Sequence, residues 1–106
     1  MGMMEADIFK ALADPTRRKV FEKLAGGSLN ASALRDGLEI SQPAMSQHLS
    51  VLRAAGLVRE QRQGRFVNYA VDPDGIAAIG AWLARYRAYW PKRMEALADL
   101  LKDMDQ

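Results

Sequence analysis

The stretch Ser41-Gln-Pro-Ala-Met-Ser-Gln-His-Leu-Ser-Val-Leu-Arg-Ala-Ala-Gly-Leu57 decides the fold. It opens like a helix. The Ser41 hydroxyl can accept a hydrogen bond from an otherwise unpaired first-turn N–H, and Pro43 falls where a missing N–H costs little. Met45, Leu49 and Leu52 recur at helical spacing and make one apolar stripe. Gln42, Ser46, Gln47, Ser50 and Arg53 occupy the opposite side. Gly56 ends the helix, since glycine reaches the left-handed conformation without a Cβ penalty. The product is a short helix with a hydrophobic back and a front of small hydrogen-bonding side chains. Such a front is either a solvated surface or a helix that enters the major groove of DNA and reads base edges.

The chain before this stretch favours the second alternative. Asn30 is a cap for a short helix, across which Leu29 is expected to pack on Leu34 as a hydrophobic staple. Gly37 stops that helix, and Gly37-Leu-Glu-Ile40 turns the chain into the Ser41 helix, with Leu38 and Ile40 filling the angle. Helix, glycine turn and polar-fronted helix is the helix-turn-helix plan. Further upstream, residues 5–12 form a helical segment with Ile8, Phe9 and Leu12 apolar. Asp14-Pro15 then starts a helix that runs to about Ala25. Val20, Phe21 and Leu24 face inward, and Gly26-Gly27 ends it. Arg17, Arg18 and Lys19 crowd the end of this helix that disfavours cations. Either an external phosphate or the acids Asp14 and Glu22 would offset them.

After Gly56 the period changes from helix to strand. Residues 57–63 and 66–71 read as a hairpin turning at Gln63-Gly64-Arg65, with Val67, Tyr69 and Val71 towards the core. Two strands cannot stand alone, so the hairpin lies against the helices and its tip projects. Arg62, Gln63 and Arg65 at that tip can reach backbone phosphate or a narrow minor groove. Asp72-Pro73 repeats the start signal. Beyond it Ile76, Ile79, Leu83, Tyr86, Trp90, Met94, Leu97, Leu101 and Met104 recur in steps of three and four. Residues 73–104 therefore read as one helical region, kinked or broken near Trp90-Pro91. Its seam is too long for so small a core and calls for a second copy of itself. The expected interface is Ile8, Ile79, Trp82, Leu83, Tyr86, Trp90, Leu97 and Leu101.

The totals set the frame. With 106 residues, 49% apolar and 26% charged, the chain is one ordered domain, residues 1–106. Residues 5–71 read as its DNA-binding core with a wing at 57–71. The net charge of +2 says nothing about nucleic acid, but its distribution does. Residues 41–71 hold Arg53, Arg59, Arg62 and Arg65 against the single acid Glu60. The absence of cysteine excludes disulfides, thiolate metal sites and cysteine nucleophiles. One histidine and no phosphate-cradling glycine loop leave an enzyme without visible machinery. No apolar run reaches membrane-spanning length. The first residues also lack the plan of a signal peptide, so a cytoplasmic location is expected.

With its parts placed, the chain resembles the ArsR/SmtB family of winged helix-turn-helix repressors over about residues 5–90. The likeness is carried by Leu12-Ala-Asp-Pro-Thr-Arg-Arg18, by Ile40 through Val58, and by Arg62-Gln-Gly-Arg-Phe-Val-Asn-Tyr69. It implies a mainly α fold with a small β-hairpin, dimerising through terminal helices. It also implies a homodimer that binds double-stranded operator DNA of dyad symmetry and usually represses. Metal-sensing members use cysteines, or His/Asp/Glu sets on the last helix. Here His48 is the sole histidine, and the last helix offers Asp72, Asp74, Glu95, Asp99 and Asp103 without an imidazole. Carboxylates alone suit hard cations, so neither metal nor cofactor is expected, and the chain is closer to the non-metal-sensing, SdpR-like branch. Gln42, Ser46 and Gln47 suit base edges, with Pro43 beside them in the first turn. Ser50 and Arg53 suit the DNA backbone, as do Arg17 and Arg18. His48 flanks the apolar stripe, where packing under the wing and contact with phosphate or base are both open. Two alternatives to sequence-specific regulation stand beside this reading. One is a protein-interaction module that uses the fold for docking only; the other is a repressor controlled by a small molecule bound between the last helices.

Overall fold

The computed structural model describes residues 2–104, and their side chains other than those of residues 2–4, 94, 95, 98, 101 and 104. Their order is α1 (Gly2–Ala13), α2 (Pro15–Ala25), α3 (Ala31–Arg35), α4 (Gln42–Ala54), β1 (Val58–Gln63), β2 (Phe66–Val71), α5 (Pro73–Ala84), a 3-10 turn (Arg87–Tyr89) and α6 (Lys92–Met104). Local chemistry fixes the starts of four helices. Asp14 accepts a hydrogen bond from the Arg17 N–H at 2.9 Å, and Asn30 accepts from Ala33 at 2.7 Å. Ser41 accepts from Ala44 at 3.2 Å, and Asp72 from Asp74 at 3.0 Å. Each bond satisfies an N–H that a helix start otherwise leaves without a partner.

The core lies where α1, α2, α3 and α4 meet the first residues of the hairpin. Val20, Leu34, Met45, Leu52 and Leu57 are fully buried in it. Leu38 and Ile40 pack on its edge, wedging α3 against α4. Lys23 reaches from α2 to the carbonyls of Leu34 and Asp36, so one ammonium satisfies the end of α3 and ties the helix-turn-helix to α2.

The hairpin is antiparallel, from Val58 opposite Val71 to Gln63 opposite Phe66. Gly64 and Arg65 alone form its loop. Gly64 has φ 63°, and among the described residues none other than glycine has a positive φ. A two-residue loop with its positive φ at the first position is the type II′ pattern, which matches the twist of the flanking strands. Leu29 does more than staple a helix. Its backbone pairs with Tyr69, N–H to carbonyl at 3.0 Å one way and 2.8 Å the other, giving β2 a partner on its free edge. At the base of the hairpin the Asp72 N–H donates to the Leu57 carbonyl at 2.8 Å. Here α5 passes so close to the end of α4 that a Cβ on Gly75 would lie 2.5 Å from the Gly56 carbonyl oxygen.

Three expectations need correction. Ile8, assigned above to an interface between copies, is 1% exposed within the chain's own core, because α1 turns that side chain inward onto α2 and α4. The last helical region is two helices. It leaves the α conformation after Ala84, ahead of Pro91, passes through the 3-10 turn, and is extended at Trp90 with ψ 139°. Proline forces that last conformation on the residue before it. The first helix begins at Gly2 rather than near residue 5. Met94, Leu101 and Met104, placed on the seam above, lie outside the described side chains.

Trp82 on α5 packs edge-on against Phe9 of α1, ring centres 4.8 Å apart, and against Tyr86 at 5.0 Å. Glu5 and Arg85 add an ion pair at 2.6 Å, which holds the Arg85 pKa above its ordinary value. Ile79 and Leu83 are half-buried. Beyond the turn, α6 leaves the body of the molecule: the radius of gyration is 15.3 Å, against about 13 Å for a compact chain of 100 residues.

Candidate nucleic-acid interface

The front of α4 follows from its stripe. With Met45, Leu49 and Leu52 committed to the core, Gln42, Pro43, Ser46, Gln47, Ser50 and Arg53 are all exposed on the outside. Arg53 is not free: its guanidinium pairs with Glu60 of β1 at 3.1 Å. The pair lies in an open groove between α4 and β1 that Ser50, Arg59 and Val58 also line. His48 is half-buried, and its Nδ1 is fully enclosed without a hydrogen-bond partner. The ring lies within electrostatic reach of Asp14, at the head of α2. The Asp14 carboxyl is held below its ordinary pKa, chiefly by the backbone N–H of Arg17.

Arg17 resolves the crowding at the start of α2 in a third way. Its side chain donates to the carbonyls of Ala11 at 2.8 Å and Lys10 at 3.4 Å, covering the exposed end of α1. A cation at a helix C-terminus is favourably placed. Its charge therefore serves the α1–α2 corner, whereas Arg18 is exposed.

At the hairpin tip Arg62, Gln63, Gly64, Arg65 and Phe66 are exposed in succession. The register sorts them. Arg62 faces Val67 on the side of the sheet that meets the core, and Gln63 faces Phe66 on the outer side. The polar front of α4 and the basic tip thus flank the groove that holds Arg53, Arg59 and Glu60.

Comparison with known proteins agrees with this geometry. Residues 12–61 match the family model of a helix-turn-helix domain. The chain is 32% identical over 80 residues to the transcriptional repressor SdpR of Bacillus subtilis, covering 76% of this chain and 89% of that protein. It is 41% identical over 93 residues to the HTH-type transcriptional regulator Rv2034 of Mycobacterium tuberculosis, covering 88% and 84%. It also superposes on the solved structure of an ArsR-like transcriptional regulator from Rhodococcus sp. RHA1 with a TM-score of 0.73. The identity there is 30%, over 94% of this chain and 96% of that one. The chain belongs to the ArsR/SmtB family. It is a winged helix-turn-helix, DNA-binding transcriptional regulator, with α3 and α4 as the helix-turn-helix and β1–β2 as the wing.

Within this ArsR/SmtB regulator the structure brings Gln42, Ser46, Gln47 and Ser50 onto one exposed face, and Arg62, Gln63 and Arg65 onto the wing tip. It sets Arg17 apart from both. Among the described residues no group of three His, Asp or Glu side chains is placed to hold a metal ion. Sequence reasoning missed the Arg53–Glu60 pair, which links elements whose relative placement no spacing shows. It also missed Phe66, although the signal was present: if Val67, Tyr69 and Val71 face the core, Phe66 faces out.

Proposed function

We propose that this regulator is a homodimeric repressor that works in the cytoplasm on an operator of dyad symmetry. The observation that supports it best is the acid-free front of α4, exposed beside a basic wing. Gln42, Ser46 and Gln47 read base edges, since an amide can pair with adenine at two positions and a hydroxyl suits several bases. Ser50, Arg18, Arg62 and Arg65 hold the backbone, and Arg53 joins them where phosphate displaces Glu60. His48, half-buried on the flank of α4, orients the reading helix from behind. Residues 5–71 form the DNA-binding core. Residues 73–104 supply the twofold contact, through Trp82, Leu83, Tyr86, Trp90 and Leu97. Copies of α4 then enter successive major grooves, centred about 34–36 Å apart.

The test is a gel shift with the promoter of the regulator's own operon, at about 150 mM salt so that nonspecific charge does not mislead. Retardation at concentrations that leave random duplex free is expected. Equal binding to both would refute sequence-specific repression.

A further inference from the structure

We propose that Phe66 is a DNA-contacting residue of a kind separate from the arginines around it: an apolar wedge that the wing sets against a base step in the minor groove. The inference rests on the reading of the wing as a DNA grip and adds a contact to it. The ring is 71% exposed, although it stands in a strand whose other residues are half-buried. Its cross-strand neighbour Gln63 is exposed as well, so nothing among the described residues covers it. An exposed phenyl ring gains by removal from water, and the surroundings say what removes it. Arg65 precedes it at the tip, Arg62 projects from the opposite face of the same hairpin, and Glu60, the acid of the hairpin, is turned to Arg53. That charge suits a polyanion and repels a basic partner.

Geometry supports the groove. The type II′ loop of Gly64 and Arg65 makes the tip only two residues wide, and it puts Phe66 directly after the projecting arginine. A minor groove about 6 Å wide admits such a tip where it excludes a helix. Apolar side chains that enter it do so by partly unstacking a base step, which is easiest at pyrimidine–purine steps. Phe66 thereby adds a preference for flexible steps outside the bases that α4 reads, and an affinity that does not depend on counterion release.

The test uses 40-base-pair duplexes selected from a random pool by the full-length protein, with 2-aminopurine placed in turn along the flanks of the selected site. The native protein should raise 2-aminopurine fluorescence at one flanking step on each side. Phe66→Ala should abolish that rise and weaken binding about tenfold, while leaving the slope of log K against log salt unchanged. Phe66→Leu, still an apolar wedge, should keep most of both. Arg65→Ala, which removes one phosphate contact from each wing of the dimer, should instead flatten the slope by about 1.8. If Arg65→Ala acts so and Phe66→Ala binds as the native protein does, the wing grips DNA and the wedge is refuted. If neither changes binding, the wing reading fails and the wedge with it. A lower melting temperature for Phe66→Ala would also overturn the proposal, since the ring would then be packed within the chain.

Discussion

On the proposed reading, single residues divide into those that read, those that grip and those that hold the readers in place, and substitution should separate the three. Gln47→Ala removes an amide from the front of α4. It should relax base preference at one operator position, at a cost of about 1–3 kcal/mol on the selected site and almost none on random duplex. Quantitative selection from a randomised pool reads that difference. Asp14 belongs to the third class. Its folded pKa lies below the ordinary value because the Arg17 N–H binds the ionised carboxylate. The unfolded chain therefore binds more protons in this range, and stability rises with pH. The contribution is complete above the unfolded pKa and is lost as pH falls through the lower, folded value. Urea midpoints of the native protein and Asp14→Ala should differ near neutrality and converge in acid below the ordinary carboxylate range. The exposed front of α4 was legible in the sequence because helical period alone sorts Gln42, Ser46 and Gln47 from Met45, Leu49 and Leu52. The holders were not. Arg17 serves α1 through carbonyls of residues 10 and 11, and His48 is half-buried with its Nδ1 enclosed. Both are facts of tertiary approach, and no periodicity encodes them.

At the level of elements, capping and breaking signals proved sufficient for the helix-turn-helix. Asn30, Gly37 and Ser41 mark α3, the turn and α4, and the bonds at Ala33 and Ala44 are those the residue types imply. The wing was legible in register, but its anchoring was not. Leu29 adds its backbone to the edge of β2, and a lone residue before a helix carries no strand signal. The last region was expected to kink or break near Trp90-Pro91, and it does break, but the α conformation already ends at Ala84. An apolar seam in steps of three and four runs through residues 76–104, yet period says nothing about where the α pattern lapses, and it lapses from residue 85 to residue 91, where Arg85, Tyr86, Tyr89 and Trp90 bond three residues back instead. The junction of α4, hairpin and α5 gives the sharpest test at this scale. Gly75→Ala puts a carbon against the Gly56 carbonyl oxygen, a backbone atom that cannot swing aside. It should cost about 1–3 kcal/mol of stability, measured as a lower urea midpoint with an unchanged m-value. Gly80→Ala, where nothing lies within 4 Å, should cost nothing.

Across the whole molecule, one end is finished and the other is not. The core around α4 buries its apolar residues, whereas α6 leaves Leu97 and Leu100 54% and 57% exposed, in a molecule whose longest extent is 45 Å. On the dimeric reading, Leu97→Glu should leave the circular dichroism of the chain intact and shift it from dimer to monomer in sedimentation equilibrium. Operator binding should then become steeply concentration-dependent. Sequence raised the expectation of a partner copy, since the seam exceeds the core, but it misassigned Ile8, because period does not say which of two surfaces claims a side chain. The contact of Gly75 with Gly56 bears on how the two ends communicate. Side chains between helices act as springs: they change rotamer and absorb small displacements. Between α5 and the exit of α4, peptide lies against peptide with only the Leu57 side chain alongside. A shift of α5 at that point moves the end of the reading helix with it, and the machine has no backlash there.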